Sequence, residues 1–116
     1  MLERYDRAAA GEPAQHPALL NAAAVRCPVM MLAGNDDQLW PSVQMARILS
    51  AQRAAVGVDA GDDCRVYDRA GHLIRLGLLP TDAPWTNGIA FGGSREGLAK
   101  AQADATTGVL RFLSRV

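Results

Sequence analysis

The sequence predicts an α/β fold with parallel strands, and three observations carry this prediction. The run Pro28–Ala33 is short and continuously apolar, and residues 34–37 follow it as a turn; this is typical of a strand buried on both faces of a parallel sheet. A helical pattern then starts at Pro41, and a second short strand is predicted at Cys64–Tyr67. This alternation indicates helices on both faces of a sheet, a three-layer αβα arrangement.

Two helices are expected beside these strands. Pro41 suits the first turn of a helix, which Gly57 would end and whose apolar stripe would consist of Met45, Ile48, Leu49 and Val56. The last helix is predicted over about residues 95–114, with Ser94 as its N-cap and Gly108 as a weak point. Its expected apolar face consists of Ala99, Ala103, Thr106, Leu110 and Leu113.

The length of 116 residues fits one small domain, and 49% of the residues are hydrophobic. Residues 1–24 are expected to form a helical lead-in, residues 25–116 the main part, and 1–116 one partial domain. The stretch 73–94 is rich in glycine and proline and is expected to be mostly irregular. Both strands look buried on two faces and therefore need neighbouring strands, so the sheet of this chain is expected to be incomplete. The missing strands are expected from an upstream half of the protein or from a second copy in a homodimer.

Charge, hydropathy and cysteine use exclude several kinds of partner. Twelve basic side chains balance twelve acidic ones, so no basic stripe is expected to bind nucleic acid. No apolar run approaches the roughly 20 residues of a membrane span, and residues 1–10 lack the apolar core of a secretory signal, so a cytoplasmic location is expected. Cys27 and Cys64 are expected to be small buried hydrophobes rather than a disulfide. No metal site and no cofactor are predicted, because no zinc-ligand spacing occurs.

Asp37 and His72 are the candidate residues for chemistry. Each follows the carboxyl end of a predicted strand, which is the edge where open α/β sheets build their sites. A carboxylate there accepts the N–H of the imidazole, and the other ring nitrogen then takes a proton from a nucleophile. An aspartate in this place is also a common turn former, and a histidine after Ala-Gly a common loop residue, so the pattern alone leaves both interpretations open.

Four further motifs follow one another along the chain. The segment from Gly34 to Ser42 matches Gly-x-Asp-Asp-x-x-Trp-x-Ser, and Tyr67 to Ile74 matches Tyr-Pro-x-x-Gly-His-x-Ile with Asp68 in place of the proline. Residues 91–94 match Trp-Gly-Gly-x with phenylalanine first, and residues 99–104 match Ala-x-Ala-Gln-x-Asp. In this order and spacing, the set closely resembles the acyl-CoA thioesterase and bile-acid acyltransferase family of α/β-hydrolases.

The resemblance implies the C-terminal fragment of an α/β-hydrolase that transfers an acyl group from a coenzyme A thioester. The acceptor is water in a thioesterase, or an amino acid such as glycine or taurine in an N-acyltransferase. The family's acid corresponds to Asp37, which leaves Asp36 as a turn or supporting residue, and its base corresponds to His72. Trp40 and Trp85 are candidates for lining an acyl or pantetheine channel, and positions in the core or at its rim suit them equally well.

The 116 residues contain no Gly-x-Ser-x-Gly nucleophile elbow. The nearest segment, residues 92–97, is one residue too long and follows the histidine, and Ser42 is expected to cap or pack a helix. We therefore expect the chain to be inactive alone, with its nucleophile supplied upstream. Two alternatives stay open: a non-catalytic interaction module that dimerises or binds a partner, and an ester or lactone hydrolase of the related dienelactone-hydrolase type.

Overall fold

The computed structural model describes residues 20–77, 85–86 and 88–116 of the chain. Within these residues, two helices and four strands follow a short 3-10 turn at Ala22–Ala24. They are β1 (Met30–Gly34), α1 (Ser42–Ala55), β2 (Asp63–Tyr67), β3 (Trp85–Thr86), β4 (Ile89–Ala90) and α2 (Arg95–Leu113). The expected order of strand, helix, strand, long connection and helix is confirmed, and most of the helical lead-in expected over residues 1–24 lies outside the described residues.

Strands β1 and β2 form a two-stranded parallel sheet with α1 and α2 on its two faces. Met31 pairs with Cys64, and Leu32 pairs with Arg65. Paired residues project to the same face and successive residues to opposite faces. Met31 contacts Ser50 of α1, whereas Arg65 donates to Asp104 of α2. The predicted α/β layering with an incomplete sheet is thus confirmed.

Both strands are more exposed than the sequence indicated. In β1 only Ala33 and Gly34 are buried, and β2 alternates between half-buried and exposed residues. The prediction that Cys27 and Cys64 are buried is wrong, because both are exposed free thiols. The physical reason is that the described sheet has just two strands, so surfaces that a wider parallel sheet would cover are open to solvent.

The predicted buried face of α2 is also wrong. Leu110 and Leu113 are 66% and 58% exposed. The buried residues of α2 are instead Gly97, Leu98, Ala101, Gln102, Ala105 and Gly108. An alanine-rich helix has more than one apolar stripe at helical spacing, and close approach of the helix to the sheet selects the stripe with the smallest side chains.

The two glycines of the buried α2 face give a matched pair of predictions. A Cβ at Gly97 would lie 2.1 Å from the backbone oxygen of Arg69, whereas a Cβ at Gly108 would meet the mobile end of the Arg65 side chain. Gly97→Ala is therefore expected to lower the free energy of unfolding by about 2 kcal/mol through overpacking. Gly108→Ala is expected to change it by less than about 1 kcal/mol, because alanine favours the helix. Urea unfolding of both variants measures this, and equal losses would contradict it.

Arg53 of α1 ties the segment before β1 to the body of the fold. Its guanidinium is fully buried and makes a two-pronged ion pair with Asp62, 2.5 Å from Nε to Oδ2 and 2.9 Å from Nη2 to Oδ1. The remaining hydrogen bonds go to the backbone oxygens of Ala22, Val25, Cys27 and Val58. The Arg53 hydrogen bond, outweighing burial, holds the pKa of Asp62 below its usual value. Nothing in the sequence pattern marked this arginine.

The connection between His72 and α2 is less irregular than expected. Strands β3 and β4 pair antiparallel, with Trp85 opposite Ala90. The segment just after His72 is held on α2, because the Arg75 N–H donates to Gln102 Oε1 at 3.3 Å and the Gly77 N–H to Thr106 Oγ1 at 3.0 Å.

Among the described residues, neither helix is long and apolar enough to cross a bilayer.

Candidate active site

The loops that leave β1 and β2 bring Asp37 and His72 into contact. His72 Nδ1 lies 2.9 Å from Asp37 Oδ2. The side chain of Asp37 is 3% exposed and that of His72 is 26% exposed, so the acid is enclosed while the imidazole reaches the surface. This is the arrangement in which a carboxylate fixes the Nδ1–H tautomer and leaves Nε2 to exchange protons.

Every lone-pair direction of the Asp37 carboxylate is used. Oδ1 accepts the backbone N–H groups of Leu39 and Trp40 at 2.9 and 3.0 Å. Oδ2 accepts from the Ser42 hydroxyl as well as from His72. Burial raises the pKa of Asp37, but these hydrogen bonds outweigh burial and hold the pKa below its usual value. The site therefore keeps Asp37 ionised and accepting.

Asn35 and Asp36, the residues just before Asp37, join its loop to the loop of His72. The Asn35 side chain donates to Asp68 Oδ1 and accepts the Arg69 N–H, both at 2.8 Å. Asp36 Oδ2 accepts the Gly93 N–H at 2.8 Å, so this carboxylate ties the acid loop to the turn before α2. Asp36 is thus a supporting residue of the loop, one of the two roles that the sequence left open for it.

Glycines permit the close meeting of the three loops. A Cβ at Gly34 would lie 2.2 Å from the Ala70 oxygen, and a Cβ at Gly71 would lie 2.1 Å from the Gly92 oxygen. Gly92 itself has a φ of 75° and has no room for a Cβ beside the Asp36 oxygen. Because the backbones touch directly, the spacing between Asp37 and His72 is set by main-chain packing rather than by mobile side chains.

Two aromatic side chains flank the His72 ring. The Trp40 ring centroid lies 5.2 Å from that of His72 at an interplanar angle of 53°, and the Phe91 ring lies 6.1 Å away at 20°. The Phe91 backbone oxygen also accepts the backbone N–H of His72 at 2.7 Å. Trp85 is described only through its backbone in β3, so its predicted place in a channel lies outside the described side chains.

The sequence did not assign two residues of this site. Ser42 was expected to cap or pack α1, whereas its hydroxyl donates to Asp37. The sequence feature that could have indicated this contact is its position five residues after Asp37, at the start of a helix that returns along the sheet. Phe91 was noticed only as a departure from a tryptophan, and its contact with His72 depends on the turn that Asp36 holds. Ser94 caps α2 as predicted, accepting the Gly97 N–H at 3.0 Å.

Comparison with known proteins agrees with the motifs. A search of curated proteins found no match to this sequence. The family described as BAAT / Acyl-CoA thioester hydrolase C terminal matches residues 1–116. This chain therefore belongs to the BAAT / acyl-CoA thioester hydrolase C-terminal family, the C-terminal domain of acyl-CoA thioesterases and acyltransferases.

Proposed function

We propose that the chain supplies the acid and the base for acyl transfer from a coenzyme A thioester, with Asp37 as the acid and His72 as the base. The observation that carries the proposal is the 2.9 Å contact between His72 Nδ1 and Asp37 Oδ2. The enclosed carboxylate stabilises the imidazolium that forms during the reaction, and family membership supplies the thioester chemistry.

In the proposed reaction, His72 moves protons while Asp37 stays ionised. Nε2 takes the proton of a serine or cysteine nucleophile as that group attacks the thioester carbonyl carbon. The C–S bond then breaks, and the His72 imidazolium returns the proton to the departing coenzyme A sulfur. In the second half-reaction, Nε2 takes a proton from water or from an amino group as it attacks the acyl carbon. The bond between the acyl group and the serine oxygen or cysteine sulfur then breaks, and the His72 imidazolium returns the proton to that atom, which releases the product and restores the nucleophile.

The aromatic rings beside His72 are proposed to guide the substrate. Trp40 and Phe91 both contact the imidazole ring, so a thioester carbonyl that reaches Nε2 must pass close to them. Apolar walls at this point suit an acyl chain or the pantetheine arm better than bulk water. Trp85 is proposed for the same channel because a large aromatic side chain suits the wall of an acyl or pantetheine channel.

The nucleophile is proposed to come from outside these 116 residues, because the sequence has no Gly-x-Ser-x-Gly elbow. The test has two arms. The purified chain alone is expected to release no coenzyme A from acyl-CoA and to resist labelling by a serine-reactive fluorophosphonate. The chain expressed together with a strand–Gly-x-Ser/Cys-x-Gly–helix segment of the same family is expected to release coenzyme A, and His72→Ala is expected to abolish that release.

Each arm can fail separately. Turnover of acyl-CoA by the isolated chain would show that the nucleophile lies within it. Turnover by the assembled protein that survives His72→Ala would contradict the role of His72 as base. Turnover of simple esters or lactones in preference to acyl-CoA would favour the alternative hydrolase of dienelactone-hydrolase type.

A second candidate function is a non-catalytic module that pairs with a partner or with a second copy. Two exposed features of the described residues favour it. Strand β1 pairs along one edge only, and Leu110 and Leu113 of α2 face solvent. Unpaired strand edges bind other strands readily. Light scattering after size-exclusion chromatography tests this candidate, which requires a stable dimer or complex that shows no acyl-CoA turnover in any assembly.

A further inference from the structure

The side chain of Ser42 has a contact that helix formation does not explain. Ser42 is the first residue of α1, and the residue at its N-cap is Pro41. A serine that caps a helix accepts a backbone N–H through its side-chain oxygen. The Ser42 hydroxyl instead donates to Asp37 Oδ2, the same oxygen that accepts from His72 Nδ1.

From this shared oxygen we propose that Ser42 is a positioning residue that fixes the Asp37 carboxylate in the orientation that His72 requires. The inference deepens the proposed function, because it rests on the proposed role of the Asp37–His72 pair. Ser42 touches neither the reacting atoms nor the substrate in this scheme, and it acts through Asp37.

The positions of the other three donors show why the Ser42 hydroxyl matters. The two N–H groups on Oδ1 belong to Leu39 and Trp40, in the same loop as Asp37 itself. The contact with His72 comes from a different loop, and the imidazole is the group that must be held. Ser42 is the donor that belongs to a regular helix, so it links the carboxylate to α1, which packs on the sheet.

Enclosure makes the hydroxyl hard to replace. The Asp37 side chain is only 3% exposed, so bulk water does not readily take the place of a lost donor, and a buried acceptor without its donor is destabilised. The Ser42 hydrogen bond also opposes the effect of burial on the pKa of Asp37. Removing it leaves Oδ2 with His72 as its remaining described partner, so the carboxylate is less firmly oriented toward the imidazole and less strongly held in its ionised form.

The test compares three serine variants by NMR on the full chain labelled with ¹⁵N-histidine and, for the carboxyl titration, with aspartate ¹³C-labelled at its side-chain carboxyl. In Ser42→Ala we expect loss of the fixed Nδ1–H tautomer of His72, seen as averaged ring ¹⁵N shifts, and an upward shift of the Asp37 carboxyl titration. Ser42→Thr keeps the hydroxyl and is expected to retain the parent spectrum. Ser50→Ala is the matched control, because Ser50 lies on the same helix and contacts Met31. His16 is the other histidine, and its signals are assigned with His16→Gln.

The outcomes separate this inference from the proposed function, because NMR needs no nucleophile. Parent-like His72 and Asp37 signals in Ser42→Ala would overturn the positioning role. A changed tautomer, together with full activity of an assembled His72→Ala enzyme, would preserve the positioning role and reject the catalytic one. If Ser42→Ala does not fold, Ser42→Cys supplies a weaker donor of similar size, and it must then show partial loss of the fixed tautomer for the inference to stand.

Discussion

Replacing Asp37 with asparagine is expected to lower kcat for acyl-CoA turnover by about 10⁴-fold in the assembled enzyme, the scale seen when a triad acid is lost. The amide carries an NH₂ group, and all four contacts of the native carboxylate are with donors. With NH₂ at the Oδ1 position it would face the N–H groups of Leu39 and Trp40. With NH₂ toward His72 it would donate to Nδ1, and the proton of the imidazole would then reside on Nε2. The first orientation is disfavoured because donor would face donor, so the second prevails, and with the proton on Nε2 the base is lost.

The measurement is steady-state release of coenzyme A by the chain expressed with a nucleophile-bearing segment of the family. Asp59→Asn is the matched control, because Asp59 is exposed and the same chemical change there is expected to leave kcat unaltered. Circular dichroism shows whether Asp37→Asn remains folded. A folded Asp37→Asn enzyme that loses less than about tenfold would contradict the assignment of Asp37 as the triad acid.

Replacing Arg53 with methionine is expected to lower Tm by more than about 10 °C. The substitution leaves the Asp62 carboxylate without its guanidinium partner. It also removes the donor from four backbone oxygens, those of Ala22, Val25, Cys27 and Val58. Removing one partner of a buried ion pair lowers the free energy of unfolding far more than removing one partner of an exposed pair, because the remaining charge stays in a poorly solvated place.

Arg47→Met is the control for this substitution, since Arg47 is an exposed residue of the same helix. Thermal unfolding gives the two Tm values. Limited trypsin digestion adds a local readout: cleavage after the exposed Arg26 is expected to be faster in Arg53→Met, because the segment before β1 loses its attachment to α1. Equal Tm values and equal cleavage rates in the two variants would show that Arg53 does not hold this segment.

The candidate site illustrates how far sequence patterns reach. Asp37 and His72 were predicted because strand ends in a parallel sheet place following residues at one edge, and the structure brings the two side chains together. Ser42 was not predicted as a partner of Asp37, because the direction of a hydroxyl depends on how a helix starts and packs. Phe91 depends in turn on the Gly92–Gly93 turn, which Asp36 holds through the Gly93 N–H.

The element order, the parallel pairing, the N-cap at Ser94 and the family could all be predicted from the sequence, because these depend on local apolar runs, turn residues and ordered motifs. Long-range packing sets which stripe of α2 is buried, the exposure of Cys27 and Cys64, and the burial of Arg53. It also sets the sharing of the Asp37 carboxylate between Ser42 and His72. The physical reason is that periodicity marks every apolar stripe alike, whereas burial and hydrogen-bond partners depend on how closely backbones approach, which here is set by glycines from distant parts of the chain.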